Sequence, residues 1–93
     1  MVHSVCTVSV SRRIEEQTIE LGSRIREMRL QLEMSQEDLG EASGLHRTYI
    51  GHIERGEVNP SLLNLLKLAA ALGIDASELV VGLAQTIGDP RTA

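Results

Sequence analysis

The sequence has almost no aromatic residues: Tyr49 is the sole one, and Trp and Phe are missing altogether. A core must then be assembled from Leu, Ile, Val, Met and Ala, a composition that points to small helices over a sheet. Cysteine is nearly missing too. Cys6 alone excludes an intrachain disulfide framework and an all-cysteine metal site, and it suits a reducing cytosol. No apolar run approaches the ~20 residues that span a bilayer. The start, MVHSVCTVSVSRR, lacks the basic stretch ahead of an apolar one that marks a secretory signal. A cytoplasmic protein without membrane contact is the expectation. Excess positive charge is also lacking, with 9 Lys and Arg against 13 Asp and Glu and a formal net charge of −4. That balance argues against a chain that coats nucleic acid nonspecifically and leaves room for one locally basic face.

What is there is the patterning of a small globular chain. Its 93 residues, 42% hydrophobic and 24% charged, suffice for one compact domain and are too few for two. Three parts are read: an N-terminal extension over 1–20, a helix-patterned body over 21–81 and a tail over 82–93. Within the extension, Val5 to Val10 (VCTVSV) is β-branched and uncharged, which reads as an extended strand or arm. Ile14, Thr18, Leu21, Ile25, Met28 and Leu32 then recur at helical spacing, which lets the first helix begin well before Leu21 and end near Glu33.

Ser35 with Asp38 three residues on is a capping-box pattern for a second helix from Gln36 to about Ala42, stopped by Gly44. A third helix is expected from about Arg47 to Arg55, closed by Gly56. Asn59-Pro60-Ser61 makes a capped loop, after which Leu62, Leu65, Leu66, Ala69 and Leu72 give a broad apolar face ending at Gly73. Asp75 with Glu78 marks a fifth short helix ending near Val81. The expected fold is all-α, a compact five-helix bundle in which two short helices are separated by a glycine turn.

The third helix is the most informative element. Ile50 and Ile53 fall on one side of it, while Arg47, Thr48, Gly51, His52 and Arg55 fall towards the other. That outward side carries a guanidinium, a hydroxyl with a methyl, an imidazole and a glycine, and no acid. These groups suit the reading of base edges: Arg pairs bidentately with guanine, Thr hydrogen-bonds or places its methyl against thymine, and glycine removes a side chain that would hold the helix out of a groove.

The stretch from Ser35 to Ile74, SQEDLGEASGLHRTYIGHIERGEVNPSLLNLLKLAAALGI, resembles the Cro/C1-type (XRE) helix-turn-helix DNA-binding domain, the lambda repressor-like fold, over residues 21–79. HRTYIGHIERG is especially similar to restriction–modification controller proteins. The resemblance places base contacts on Arg47, Thr48 and His52, with Gly51 against the groove floor. It places phosphate contacts on Ser35 and Gln36 at a helix N-terminus, and on Tyr49, Arg55 and Asn59. It also implies a structural ion pair between Arg29 and Glu54. Two positions depart from the pattern: Gly40 stands where the family usually has alanine, and His46 is a poor N-cap, so that either the recognition helix starts raggedly or His46 itself contacts DNA. Glu57 sits close to the expected DNA backbone path.

The function expected on these grounds is a sequence-specific transcriptional regulator that binds double-stranded DNA as a homodimer. Leu79, Val80, Val81 and Leu83 exceed what one short helix can bury in a small monomer and form the expected dimer interface, with the extension of the first helix as the other candidate. The alternative is an antitoxin or other partner-binding protein that grips a second protein through the N-terminal segment or the tail. Arg24 and Arg26 read as a solvated face ahead of the alternative, contact with phosphates. His46 and His52 are on different helix faces, and His3-x-x-Cys6 lacks a partner pair, so no metal site is expected. No nucleophile motif is present, so neither catalysis nor a cofactor is expected.

Overall fold

The computed structural model describes residues 2–86, with side chains for 16–85. These residues form α1 (Val2–Gln31), α2 (Gln36–Ser43), α3 (Arg47–Glu54), α4 (Leu62–Leu72), α5 (Ser77–Val80) and a final 3-10 turn, Leu83–Thr86. No strand occurs among them. The core gathers Leu21 and Ile25 from α1, Leu39 from α2, Ile50 and Ile53 from α3, Leu68 and Leu72 from α4 and Leu79 from α5. No described helix is long and apolar enough to cross a membrane.

The stretch 5–10, expected to be extended, is part of α1 instead. Valine and threonine lower helix propensity by only a few tenths of a kcal/mol each. Prolonging an existing helix adds a hydrogen bond per residue with no new nucleation. The helix signals further along are met locally. Ser35 Oγ accepts from Asp38 N–H at 2.9 Å and Asp38 Oδ2 accepts from Ser35 N–H at 2.9 Å, a closed capping box at the start of α2. Those bonds hold the Asp38 carboxyl below the usual carboxylate range, the backbone donor of Ser35 counting most. His46 is a working cap, because its Nδ1 accepts from Thr48 N–H at 3.0 Å and starts α3 cleanly rather than raggedly.

The arrangement of α1 against the rest decides much of the interior. Gly22 lies where α1 crosses α3, and a methyl group there would stand 2.2 Å from the Ile53 carbonyl oxygen and 2.7 Å from that of Glu54. Further along the same crossing, Thr18 Oγ1 donates to the Gly56 carbonyl at 3.2 Å. Arg24, expected on a solvated face, donates through Nη1 to the carbonyls of Val81 at 2.6 Å and Leu79 at 3.2 Å. It thereby satisfies the open C-terminal end of α5 and ties it to α1.

That docking divides the four residues expected at the dimer interface. Leu79 is fully buried and Leu83 nearly so inside the single chain, because α5 and the 3-10 turn are held against α1. Val80 and Val81 alone of the four remain open, at 43% and 66% exposure.

Candidate nucleic-acid interface

Helices α2 and α3 are joined by Gly44, Leu45 and His46, and the joint is tight. Gly44 takes a left-handed φ of 77°, which only glycine adopts at no steric cost. A methyl group on Gly40 would stand 2.6 Å from the Leu45 carbonyl oxygen. The loss of helix propensity at Gly40 therefore accompanies a close approach of the turn that alanine would push apart.

The core side of α3 consists of Ile50, Ile53 and Glu54, while Gly51, on the outward side, is buried only under the side chains of Arg55 and Gln36. Glu54 is bound bidentately by Arg29: Nε donates to Oε2 at 2.7 Å and Nη2 to Oε1 at 3.0 Å. Arg29 Nη1 donates to the Met34 carbonyl at 2.8 Å, and Gln36 Nε2 donates to Glu54 Oε1 at 3.1 Å. Hydrogen bonding to Glu54 raises the Arg29 pKa above its ordinary value; burial opposes this, and the carboxylate charge adds to the rise. Each buried charge is thus paired and hydrogen-bonded, the condition under which burying it is tolerable. No buried side-chain polar atom among the described residues lacks a partner.

The outward side carries Arg47, Thr48 and Arg55, all exposed, with His52 half-buried between them. Arg47 Nη1 lies 3.6 Å from Glu37 Oε2 on α2, with both side chains 65% exposed. Such a pair is held loosely and is worth little on its own. Gly51 is covered by flexible groups, since a methyl group there would meet Arg55 Nη1 at 3.1 Å and Gln36 Oε1 at 3.6 Å. Tyr49 is half-buried, and its hydroxyl oxygen accepts from Asn64 Nδ2 at 3.0 Å, which fixes the ring while leaving the O–H proton to be donated.

Three expected backbone-contacting residues have other engagements. Ser35 Oγ caps α2. Gln36 reaches inwards to Glu54. Asn59 is exposed and lines a hollow of about 250 Å³ with Gln17, Leu65 and Val80, and no described hydrogen bond joins it to the outward side of α3.

Glu57, expected close to the DNA backbone path, makes contacts that sequence reasoning did not foresee. Its Oε1 lies 2.7 Å from His52 Nδ1, and Arg55 donates to it through Nε at 3.2 Å. The Arg55 hydrogen bond first, and the His52 one second, hold the Glu57 carboxyl below the usual range. The available signal was Gly56. A glycine that turns a chain at a helix end brings the residue after it back beside the last turn, and Glu57 N–H donates to the His52 carbonyl at 3.0 Å. No group of three or more metal-ligating side chains exists among the described residues.

Residues 25–79, which include both helices of this surface and the buried pair beneath it, match the helix-turn-helix family. The chain belongs to that family. It is 47% identical over 60 residues to the control protein C.BamHI of Bacillus amyloliquefaciens, covering 63% of this chain and 74% of that protein. It is 47% identical over 60 residues to the control protein C.SmaI of Serratia marcescens, covering 64% of this chain and 71% of that one. The restriction–modification controller protein C.AhdI of Aeromonas hydrophila superposes with a TM-score of 0.66 at 50% identity, covering 67% of this chain and 94% of that chain. This helix-turn-helix protein is a DNA-binding transcriptional regulator, with the all-helical fold of the controller structure.

Proposed function

We propose that the protein binds an operator as a homodimer and reads it with the outward side of α3, in the manner of a restriction–modification controller. Arg47, Thr48 and His52 face base edges in the major groove, and Gly51 lets the helix approach. Ser35, Gln36, Tyr49, Arg55 and Asn59 supply contacts along the sugar–phosphate backbone that set register. The observation that carries the reading is the division of α3 into two sides. Ile50, Ile53 and Glu54 are locked inside while Arg47, Thr48 and Arg55 are presented to solvent.

The domain reads few base pairs alone, and two copies on half-sites about 34 Å apart supply the missing affinity. Val80 and Val81 are the exposed apolar residues offered to the second copy. The protein acts without catalysis, cofactor or membrane attachment. Selection from random duplex DNA, with the enriched site titrated at two salt concentrations, tests this. An enriched inverted repeat with steep salt dependence is the expected result. A folded sample that enriches no sequence overturns it.

A further inference from the structure

The contact between His52 and Glu57 determines more than local order. A carboxylate only accepts hydrogen bonds, so the 2.7 Å approach of Glu57 Oε1 to His52 Nδ1 requires the proton to sit on Nδ1. Arg55 Nη2 approaches the same nitrogen at 3.3 Å. A guanidinium only donates, so that contact competes for Nδ1 in the opposite tautomer. The shorter contact, to a charged acceptor, prevails. A neutral ring protonated at Nδ1 bears a lone pair at Nε2. His52 Nε2 has no partner among the described residues, and the side chain is 44% exposed.

We propose that Glu57 is a specificity-determining residue acting through His52: it holds the imidazole in its Nδ1–H form, so that Nε2 enters the groove as an acceptor and selects an exocyclic amino group. In the major groove such groups belong to adenine and cytosine, whereas guanine presents only acceptors there. The opposite tautomer would carry a donor at Nε2 and favour guanine. Glu57 touches no base in this arrangement and is a positioning residue. The inference rests on the reading that His52 faces base edges.

Two measurements on the full chain test it. Nitrogen-15 shifts of the His52 ring, taken in alkaline buffer where imidazoles are neutral, should show the proton on Nδ1 in the wild type and a move towards Nε2–H in Glu57→Ala. Selection from random duplexes with wild type, Glu57→Ala and His52→Ala should show adenine or cytosine preferred at one position of each half-site. That preference should fall about tenfold in both variants while the rest of the site is kept. A wild-type ring protonated at Nε2 overturns the proposal. So does a Glu57→Ala protein that keeps every base preference and binds all sequences more tightly, since this would reduce Glu57 to a repulsive charge. A wild type that enriches no sequence overturns the operator-binding reading itself, and this inference with it.

Discussion

Helix α3 has an arginine–glutamate contact at each of its two sides, made of the same chemical groups and differing in what they do. Arg29 and Glu54 are 7% and 8% exposed and share four hydrogen bonds with each other, Met34 and Gln36. Arg55 and Glu57 have side chains 56% and 48% exposed and share their contact with His52. The first pair cannot exchange partners without leaving a charge stranded in the interior. The second is bathed in water, contributes little to stability, and can trade one partner for a phosphate or a base. Burial, and not residue type, makes one pair a fastener and leaves the other free on the surface proposed to read DNA.

The sharpest way to break the comparison is to remove one carboxylate from each side. Glu54→Ala should lower stability by about 3–5 kcal/mol in thermal or urea unfolding, because it strands the Arg29 guanidinium. Glu57→Ala should leave the unfolding midpoint essentially where it is in the wild type. Equal losses would erase the distinction. Next in size, Gly22→Ala forces a methyl group against the Ile53 carbonyl on the buried side. It should cost about 1–3 kcal/mol in urea unfolding; an unchanged midpoint would mean that α1 crosses α3 less closely.

On the reading side, stability should hold while binding changes. Arg47→Ala should weaken the enriched site by about 1–3 kcal/mol and relax one base preference, whereas Arg55→Ala should weaken all duplexes alike and reduce the salt slope by about one. Identical losses on specific and random DNA for both variants would dissolve that division of roles. Val80→Asp should weaken self-association about tenfold, the equivalent of one valine no longer buried. Unchanged sedimentation would move the interface to the N-terminal part of α1.

The smallest effect concerns pH. The folded-state pKa of Asp38 is depressed by its capping bonds. Its contribution is therefore present above the unfolded value and lost as pH falls through the folded one. The stability difference between wild type and Asp38→Asn should be visible at neutral pH and shrink on acidification. A difference that stays constant would detach the cap from the carboxylate charge.

How much of this was legible beforehand depends on the distance along the chain over which each contact is made. The capping box at Ser35 and Asp38, the stops at Gly44 and Gly73 and the two-sided pattern of α3 involve residues within a turn or two of one another. Spacing at 3.6 residues per turn exposes them directly. The His46 cap was misread although it is local, because imidazole is an uncommon capping group whose Nδ1 serves well in the right rotamer. Arg24 at the end of α5, Gln36 on Glu54 and the burial of Leu83 were out of reach of periodicity. They join residues 55 to 57, 18 and 66 positions apart respectively.

Composition and spacing alone pointed to the helices of the body and to the outward side of α3 that carries Arg47, Thr48 and Arg55, since helix caps, glycine stops and apolar stripes are local properties of a chain. Only the packing of α1 across α3 and α5 decided which apolar residues are left for a partner and which arginine fastens. It also decided that Gln36 turns inwards. Those outcomes depend on which atoms remain in water once the helices meet, and no single helix carries that information.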